Sequence, residues 1–136
     1  MCIRDSIYAM SKRSTLVKKL DKVFSQFIRQ RDANSKGICT CATCSKQLPI
    51  KEIHCGHFMS RRSMATRWHP LNCASQCPSC NTFNQGRQYE FSKYIDKRFG
   101  EGTAEMLCQL SKTTVKYSIP DLQEKYDHFK NLLTKL

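Results

Sequence analysis

Between positions 14 and 32, apolar residues recur at three- and four-residue steps: Leu16, Val17, Leu20, Val23, Phe24, Phe27 and Ile28. That spacing lines one face of an α-helix, and Lys18, Lys19, Lys22, Arg29 and Arg31 take the remaining positions. The run Ala33-Asn34-Ser35-Lys36-Gly37 then predicts its end. Residues 38–60 mix short apolar steps with turn residues, which predicts a metal knuckle and then a hairpin around Ile50 to Phe58. Residues 61–76 read as an irregular loop, and residues 78–86 as a short helix ended by Gly86. Phe91, Tyr94, Ile95 and Phe99 mark another amphipathic helix, closed by Gly100. Thr103 can cap a further helix through Leu110. Ser118 and Asp121 bracket Pro120 at the start of a last helix carrying Leu122, Tyr126, Phe129 and Leu133.

These elements predict an α+β fold: a small metal-rich core over residues 38–86, an N-terminal helix over 14–32 and a helical tail over 88–136. Residues 14–136 are expected to form a single domain. Met10-Ser11-Lys12-Arg13 has the look of a start, so residues 1–9 are read as an upstream extension and residues 1–13 are expected to lack fixed structure. No apolar run approaches the roughly 20 residues of a membrane span, and the first residues lack a secretory h-region. A cytoplasmic location without a membrane partner is the expectation.

Charge narrows the class. The formal net charge is +12, and 18 of the 23 Lys and Arg residues, against six of the 11 Asp and Glu, lie in residues 1–100. A concentrated positive field attracts polyanions through counterion release, which makes nucleic acid the leading partner.

Nine cysteines without an export signal argue against a disulfide framework. Two pairs stand out, Cys41-Ala42-Thr43-Cys44 and Cys77-Pro78-Ser79-Cys80. Each Cys-x-x-Cys knuckle aims two thiolates at one ion, so four sulfurs complete a closed tetrahedron and predict a structural zinc site. Cys39 offers a competing register with Cys41, but the x-x spacing favours Cys41 with Cys44. Closing a loop of 32 residues between the pairs costs only logarithmically more than closing a short one. Cys55, Cys73 and Cys108 are read as packing residues.

The loop between the knuckles holds His54-Cys55-Gly56-His57-Phe58 and then Arg67-Trp68-His69-Pro70-Leu71-Asn72, and the second knuckle runs into Asn81. Phosphodiester hydrolysis needs a base near neutral pH, a cation with an open side, and a fixed hydrogen bond to orient the base. His57 is the candidate base, and His54 and Asn81 are candidate ligands of a catalytic divalent cation. His69 is an alternative ligand, and His128 is read as structural. Arg61, Arg62 and Arg67 are candidate DNA phosphate contacts. A zinc module that binds nucleic acid without cutting it remains the alternative, and the enzyme could instead act on RNA.

This order of residues resembles the His-Asn-His, or ββα-metal, nuclease motif, a hairpin and helix clasped around one divalent ion. More widely, the chain resembles the NinG/Rap recombination-nuclease family of lambdoid bacteriophages over roughly residues 14–135. The resemblance is carried by Phe27-Ile28-Arg29-Gln30-Arg31-Asp32, the first knuckle, Gly56-His57-Phe58, Arg67-Trp68, Asn72, Cys77-Pro78-Ser79-Cys80-Asn81 and Gly86. The paired knuckles and following Asn are also similar to those of phage endonuclease VII, a junction-resolving nuclease. The resemblance implies that His57 is the base, that Asn72 buttresses the hairpin presenting it, and that Asn81 binds the metal. It implies metal-dependent cleavage of branched DNA, including Holliday junctions, in a host cytoplasm, and a homodimer would make the paired cuts. Relatives carry a carboxylate beside or shortly before the base, where this chain has His54, Cys55 and Gly56. A nitrogen ligand shifts preference from magnesium toward manganese, zinc or nickel, so Mg2+ and Mn2+ both remain candidates for the catalytic ion.

Overall fold

The computed structural model describes residues 3–136, with side chains from Lys12 onward. Residues 1–2, part of the expected extension, lie outside the described residues. Helix α1 spans Ile3–Asp32, so the backbone is helical well ahead of Ser14. The chain forms two compact units: residues 1–27 with 117–136, and residues 28–116.

In the first unit, Leu16, Leu20, Val23, Phe24 and Phe27 of α1 are buried, as the spacing predicts. Leu122 and Phe129 are their buried counterparts on α5 (Ile119–Thr134). The Phe129 ring stands edge-on to Phe24 at 4.8 Å and tilted against Phe27 at 5.6 Å. Ser118 starts α5 with the expected capping box: its hydroxyl accepts the Asp121 N–H at 3.1 Å, and Asp121 accepts the Ser118 N–H at 2.9 Å. Those bonds hold the exposed Asp121 carboxyl below its ordinary pKa.

The second unit is a mixture of helices and two small antiparallel sheets, in keeping with the α+β expectation. Asn34 turns the chain after α1, its Oδ1 accepting the N–H groups of Lys36 and Ile38. Strand β1 (Ile38–Thr40) then pairs with β2 (Gln47–Pro49). Strand β3 (His54–His57) pairs with β4 (Cys73–Gln76), with His54 opposite Gln76 and His57 opposite Cys73. The hairpin expected around Ile50 to Phe58 does not form. The local hairpin lies earlier in the chain, and β3 finds its partner across residues 58–72. A period-two pattern identifies a strand but carries no signal for a distant partner.

The stretch 61–76, read as an irregular loop, holds helix α2 (Met64–Arg67), a 3-10 turn at Pro70–Asn72 and β4. A single π-helical turn follows at Ser79–Phe83, where the short helix was expected. Helices α3 (Gln88–Phe99) and α4 (Thr103–Ser111) complete the unit. Asp96 Oδ1 accepts the Ala104 N–H at 2.9 Å and so ties the start of α4 to α3. Phe58, Ala74, Phe91, Ile95, Ala104 and Leu107 form one buried apolar cluster, and Cys39, Cys41, Ile53, Cys77 and Cys80 form a second.

Candidate functional site

The Sγ atoms of Cys41, Cys44, Cys77 and Cys80 all lie within 4.8 Å of one another. The first knuckle follows β1. The Cys41 N–H donates to the Lys46 carbonyl at 2.8 Å, and Ser45 turns back through positive φ to donate its N–H to the Cys41 carbonyl. The second knuckle follows β4, and the Cys80 N–H points at Cys77 Sγ at 3.5 Å. Cys44 and Cys77 sulfurs stand 3.6 Å apart. Around one tetrahedral zinc, sulfurs at about 2.3 Å from the ion would stand roughly 3.8 Å apart, so this cluster can hold such an ion.

The thiol electrostatics fit a cation as well. The Lys46 N–H favours a Cys44 thiolate, but burial and the thiols of Cys41, Cys77 and Cys80 outweigh it and push Cys44 up to about 12. Burial also pushes Cys80 up. For Cys41, burial is outweighed by the Thr43 hydroxyl and by the N–H groups of Cys77, Thr43 and Cys44, and its pKa falls to about 6. Four thiolates cannot share this space without a positive charge among them. Cys39 stands apart from the cluster: its buried thiol donates to the Arg29 carbonyl at 3.4 Å, which decides the register in favour of Cys41 with Cys44.

Strand β3, the 3-10 turn and the π-helical turn carry His54 and His57, Asn72, and Asn81. Asn81 is in that turn, directly after Cys80, so whatever anchors the knuckle also anchors the carboxamide. Its Nδ2 lies 3.0 Å from His54 Nδ1 on β3. Asn72 is fully buried at the end of the 3-10 turn. Its Oδ1 accepts the Met59 N–H at 2.8 Å, and its Nδ2 donates to the carbonyls of Met59 and Thr66, each at 3.1 Å. Its own carbonyl accepts the Phe58 N–H at 2.8 Å. The segment leaving His57 is therefore clamped on both sides.

His57 Nε2 lies 3.0 Å from the Arg67 carbonyl. A carbonyl only accepts, so Nε2 carries the proton and the imidazole lone pair resides on Nδ1. Alternation along β3 turns His54 and His57 to opposite faces of the strand.

The profile of one protein family, described as Bacteriophage Lambda NinG protein, matches residues 2–136. The chain belongs to the NinG family. No curated protein and no solved structure gives a significant match.

Several features of this NinG-family chain have no pattern in the sequence. Asp32, whose side chain is only 5 % exposed, meets Arg31 at 2.7 Å and Arg98 at 2.9 Å, and accepts the Ser75 N–H at 2.9 Å. Arg31 also donates to the carbonyls of Pro70 and Cys73 at the head of β4. Burial pushes the Asp32 carboxyl up, but the hydrogen bonds from Arg31 and Arg98, the Arg31 charge and the Ser75 N–H together hold it below the usual carboxylate range. Gly56 leaves room for the buried Gln76 side chain across the strand pair: a Cβ there would overlap the Gln76 amide and stand 2.9 Å from its Cβ. Gln76 in turn donates to the Gly86 carbonyl at 2.7 Å and to the Thr43 hydroxyl at 3.1 Å, which joins β4 to the first knuckle and to the loop after the π-helical turn.

Among the candidate phosphate contacts, Arg61 and Arg62 are exposed. Arg67 is half-buried, donates to the Arg61 carbonyl at 3.2 Å and stacks 5.2 Å over buried Trp68. His69 is occupied as the cap of the 3-10 turn, its Nδ1 accepting the Leu71 N–H. His128 packs on Phe129 in the other unit. Sequence patterns also did not single out Phe83 and Tyr89, which are 81 % and 67 % exposed and flank the turn after Asn81. Cys55 and Cys73, read as packing residues, have their sulfurs within 4.8 Å of each other and of a ring nitrogen of His57. Among the described residues, no helix is long and apolar enough to cross a membrane.

Proposed function

We propose that this chain is a metal-dependent DNA endonuclease of the ββα-metal type, acting on branched recombination intermediates. The observation that carries the reading is the 3.0 Å approach of His54 Nδ1 and Asn81 Nδ2. It sets an imidazole beside a carboxamide at a strand–strand–helical-turn junction adjoining the four-cysteine cluster. A divalent cation there would be held by His54 Nδ1 and, after a half-turn of the amide, by the Asn81 oxygen. When bound, it would supply positive charge to the scissile phosphate and the leaving oxygen. The family resemblance makes His57 the base, with Nδ1 taking the proton from water because the Nε2 proton is committed to the Arg67 carbonyl, although alternation along β3 turns this ring to the face opposite His54. Asn72 is a positioning residue that holds the strand end presenting His57. The four-cysteine cluster holds structural zinc and fixes Asn81 through Cys80.

The excess of Lys and Arg in residues 1–100 supports a polyanionic substrate. The exposed Phe83 and Tyr89 rings offer stacking surfaces for unpaired bases. Branched DNA as the substrate, and paired cuts by two chains, rest on the family resemblance.

The test is cleavage of a four-way junction, a linear duplex, single-stranded DNA and RNA with Mg2+, Mn2+, Ni2+ or Zn2+, beside a chelated control. Junction cutting that needs the ion is expected, and His57→Ala should lower the rate by about 100-fold or more, the usual contribution of a general base. Salt-sensitive binding without cutting under any ion would leave a zinc-containing binding module instead. Undiminished cutting by His57→Ala would remove the mechanism.

A further inference from the structure

Cross-strand geometry explains how three soft or borderline ligands come together away from the four-cysteine cluster. Alternation along β3 puts Cys55 and His57 on one face, and Cys73 on β4 lies directly opposite His57 and diagonally from Cys55. The two sulfurs and one His57 ring nitrogen all lie within 4.8 Å of one another. Ligands around one tetrahedral zinc are separated by roughly 3.5–3.8 Å, so a small contraction would close three of the four positions and leave one open. Two thiolates and an imidazole select zinc or another soft ion over magnesium, which takes oxygen.

We propose that Cys55, His57 and Cys73 form a second zinc site, with the fourth position open to water. Binding releases one proton from each thiol, and the ion is held by two sulfurs and by Nδ1, the His57 nitrogen that carries the lone pair. A regulatory consequence follows, and it rests on the nuclease reading: a zinc ion on Nδ1 occupies the lone pair that would take the proton from water. Filling this site therefore silences the base while leaving the structural cluster intact.

The site itself is tested without DNA. The full chain, kept reduced with a phosphine, is equilibrated with zinc sulfate, passed through a desalting column and assayed for metal per chain. Two zinc ions are expected for the natural sequence and one for Cys55→Ser, a substitution at a half-exposed position. Retention of that one ion shows that the variant is folded. In a parallel titration with Co2+, the thiolate-to-cobalt charge-transfer band reports only sulfur-bound metal. It should fall by about one-third in a Cys55→Ser/Cys73→Ser chain, which has lost two of six cobalt–sulfur bonds. One zinc ion in the natural chain, or two retained by Cys55→Ser, overturns the site. So does a Cys55–Cys73 disulfide found by peptide mass in the reduced preparation.

The consequence is read as a ratio within each protein, cutting without added zinc over cutting with enough zinc to fill the site. At least tenfold inhibition is expected for the natural chain and a ratio near one for Cys55→Ser. Zinc that fills the site without inhibiting overturns the regulatory consequence and upholds the site. A chain that cuts nothing under any ion overturns the nuclease reading, while the metal count still decides the site.

Discussion

The α1–α5 unit and the unit spanning residues 28–116 are held together by different physics. In the first, Leu16, Leu20, Val23, Phe24 and Phe27 meet Leu122 and Phe129, and polar contacts such as the Ser118–Asp121 cap and the Arg13 bond to the Tyr117 carbonyl lie at the surface. Burial of apolar area carries it. In the second, Cys41, Cys77 and Cys80, the Asp32 carboxylate, Gln76 and Asn72 occupy buried positions that an ordinary core would give to aliphatic side chains. The two sheets are short, of three- and four-residue strands. Strands of that length gain little from their own pairing. The comparison teaches that the first unit rests on apolar burial, whereas the second adds buried polar groups, which aim side chains at a point, to an apolar cluster of its own.

Removing the zinc proposed for the four-cysteine cluster should separate the two regions most. A zinc site of this kind contributes on the order of 10 kcal/mol to folding. Chelation should abolish amide protection in β1, β3, β4 and the π-helical turn while residues 14–27 of α1 and the helix α5 keep theirs. Hydrogen exchange followed by mass spectrometry reads this directly, and simultaneous loss in both regions would break the contrast.

Asp32→Ala comes next. It leaves Arg31 and Arg98 without their buried partner and should cost about 3–5 kcal/mol, measured by urea unfolding monitored at Trp68 in the same unit. Because the folded-state pKa of Asp32 is depressed, its contribution is fully present above the unfolded value of 3.8 and is lost as pH falls through the folded value. Acid should therefore weaken the natural chain through this group, and the variant's deficit should shrink below that pH.

A smaller effect is expected at the crossing of β3 and β4. Gly56→Ala drives a methyl into the Gln76 side chain and should cost about 1–3 kcal/mol, with a lower urea midpoint. If the pair instead adjusts without cost, the close fit between Gly56 and Gln76 is incidental. The smallest effect belongs to the apolar unit. Ser118→Ala removes the capping box and should cost about 1 kcal/mol, seen as faster exchange confined to the first turn of α5.

The helices were readable because their signals are local. The three- and four-residue spacing of Leu16 to Ile28, Ser118 with Asp121, and Gly100 after Phe99 each act within a few residues of chain. The Cys-x-x-Cys pairs were readable for a related reason: a knuckle's geometry lies in its own spacing, so only the meeting of the two had to be inferred. The partner of β3 was misplaced because strand alternation says which residues share a face and nothing about which distant strand lies alongside. Cys55 and Cys73 failed for the same reason. They are separated by 18 positions in the chain and become neighbours only once β3 and β4 are in register.

From its residues alone, this chain determined its helices, its two thiolate knuckles, its positive field and the identities of the polar groups between the knuckles. Tertiary structure decided which of those groups meet. It joined His54 to Asn81, drew Cys73 to His57, clamped Asn72 around Met59 and enclosed Asp32 between two guanidinium groups. The physical reason is range. Backbone propensity and side-chain periodicity act over a few residues, whereas the register of β3 on β4 joins residues about 20 positions apart and depends on which face the whole unit buries.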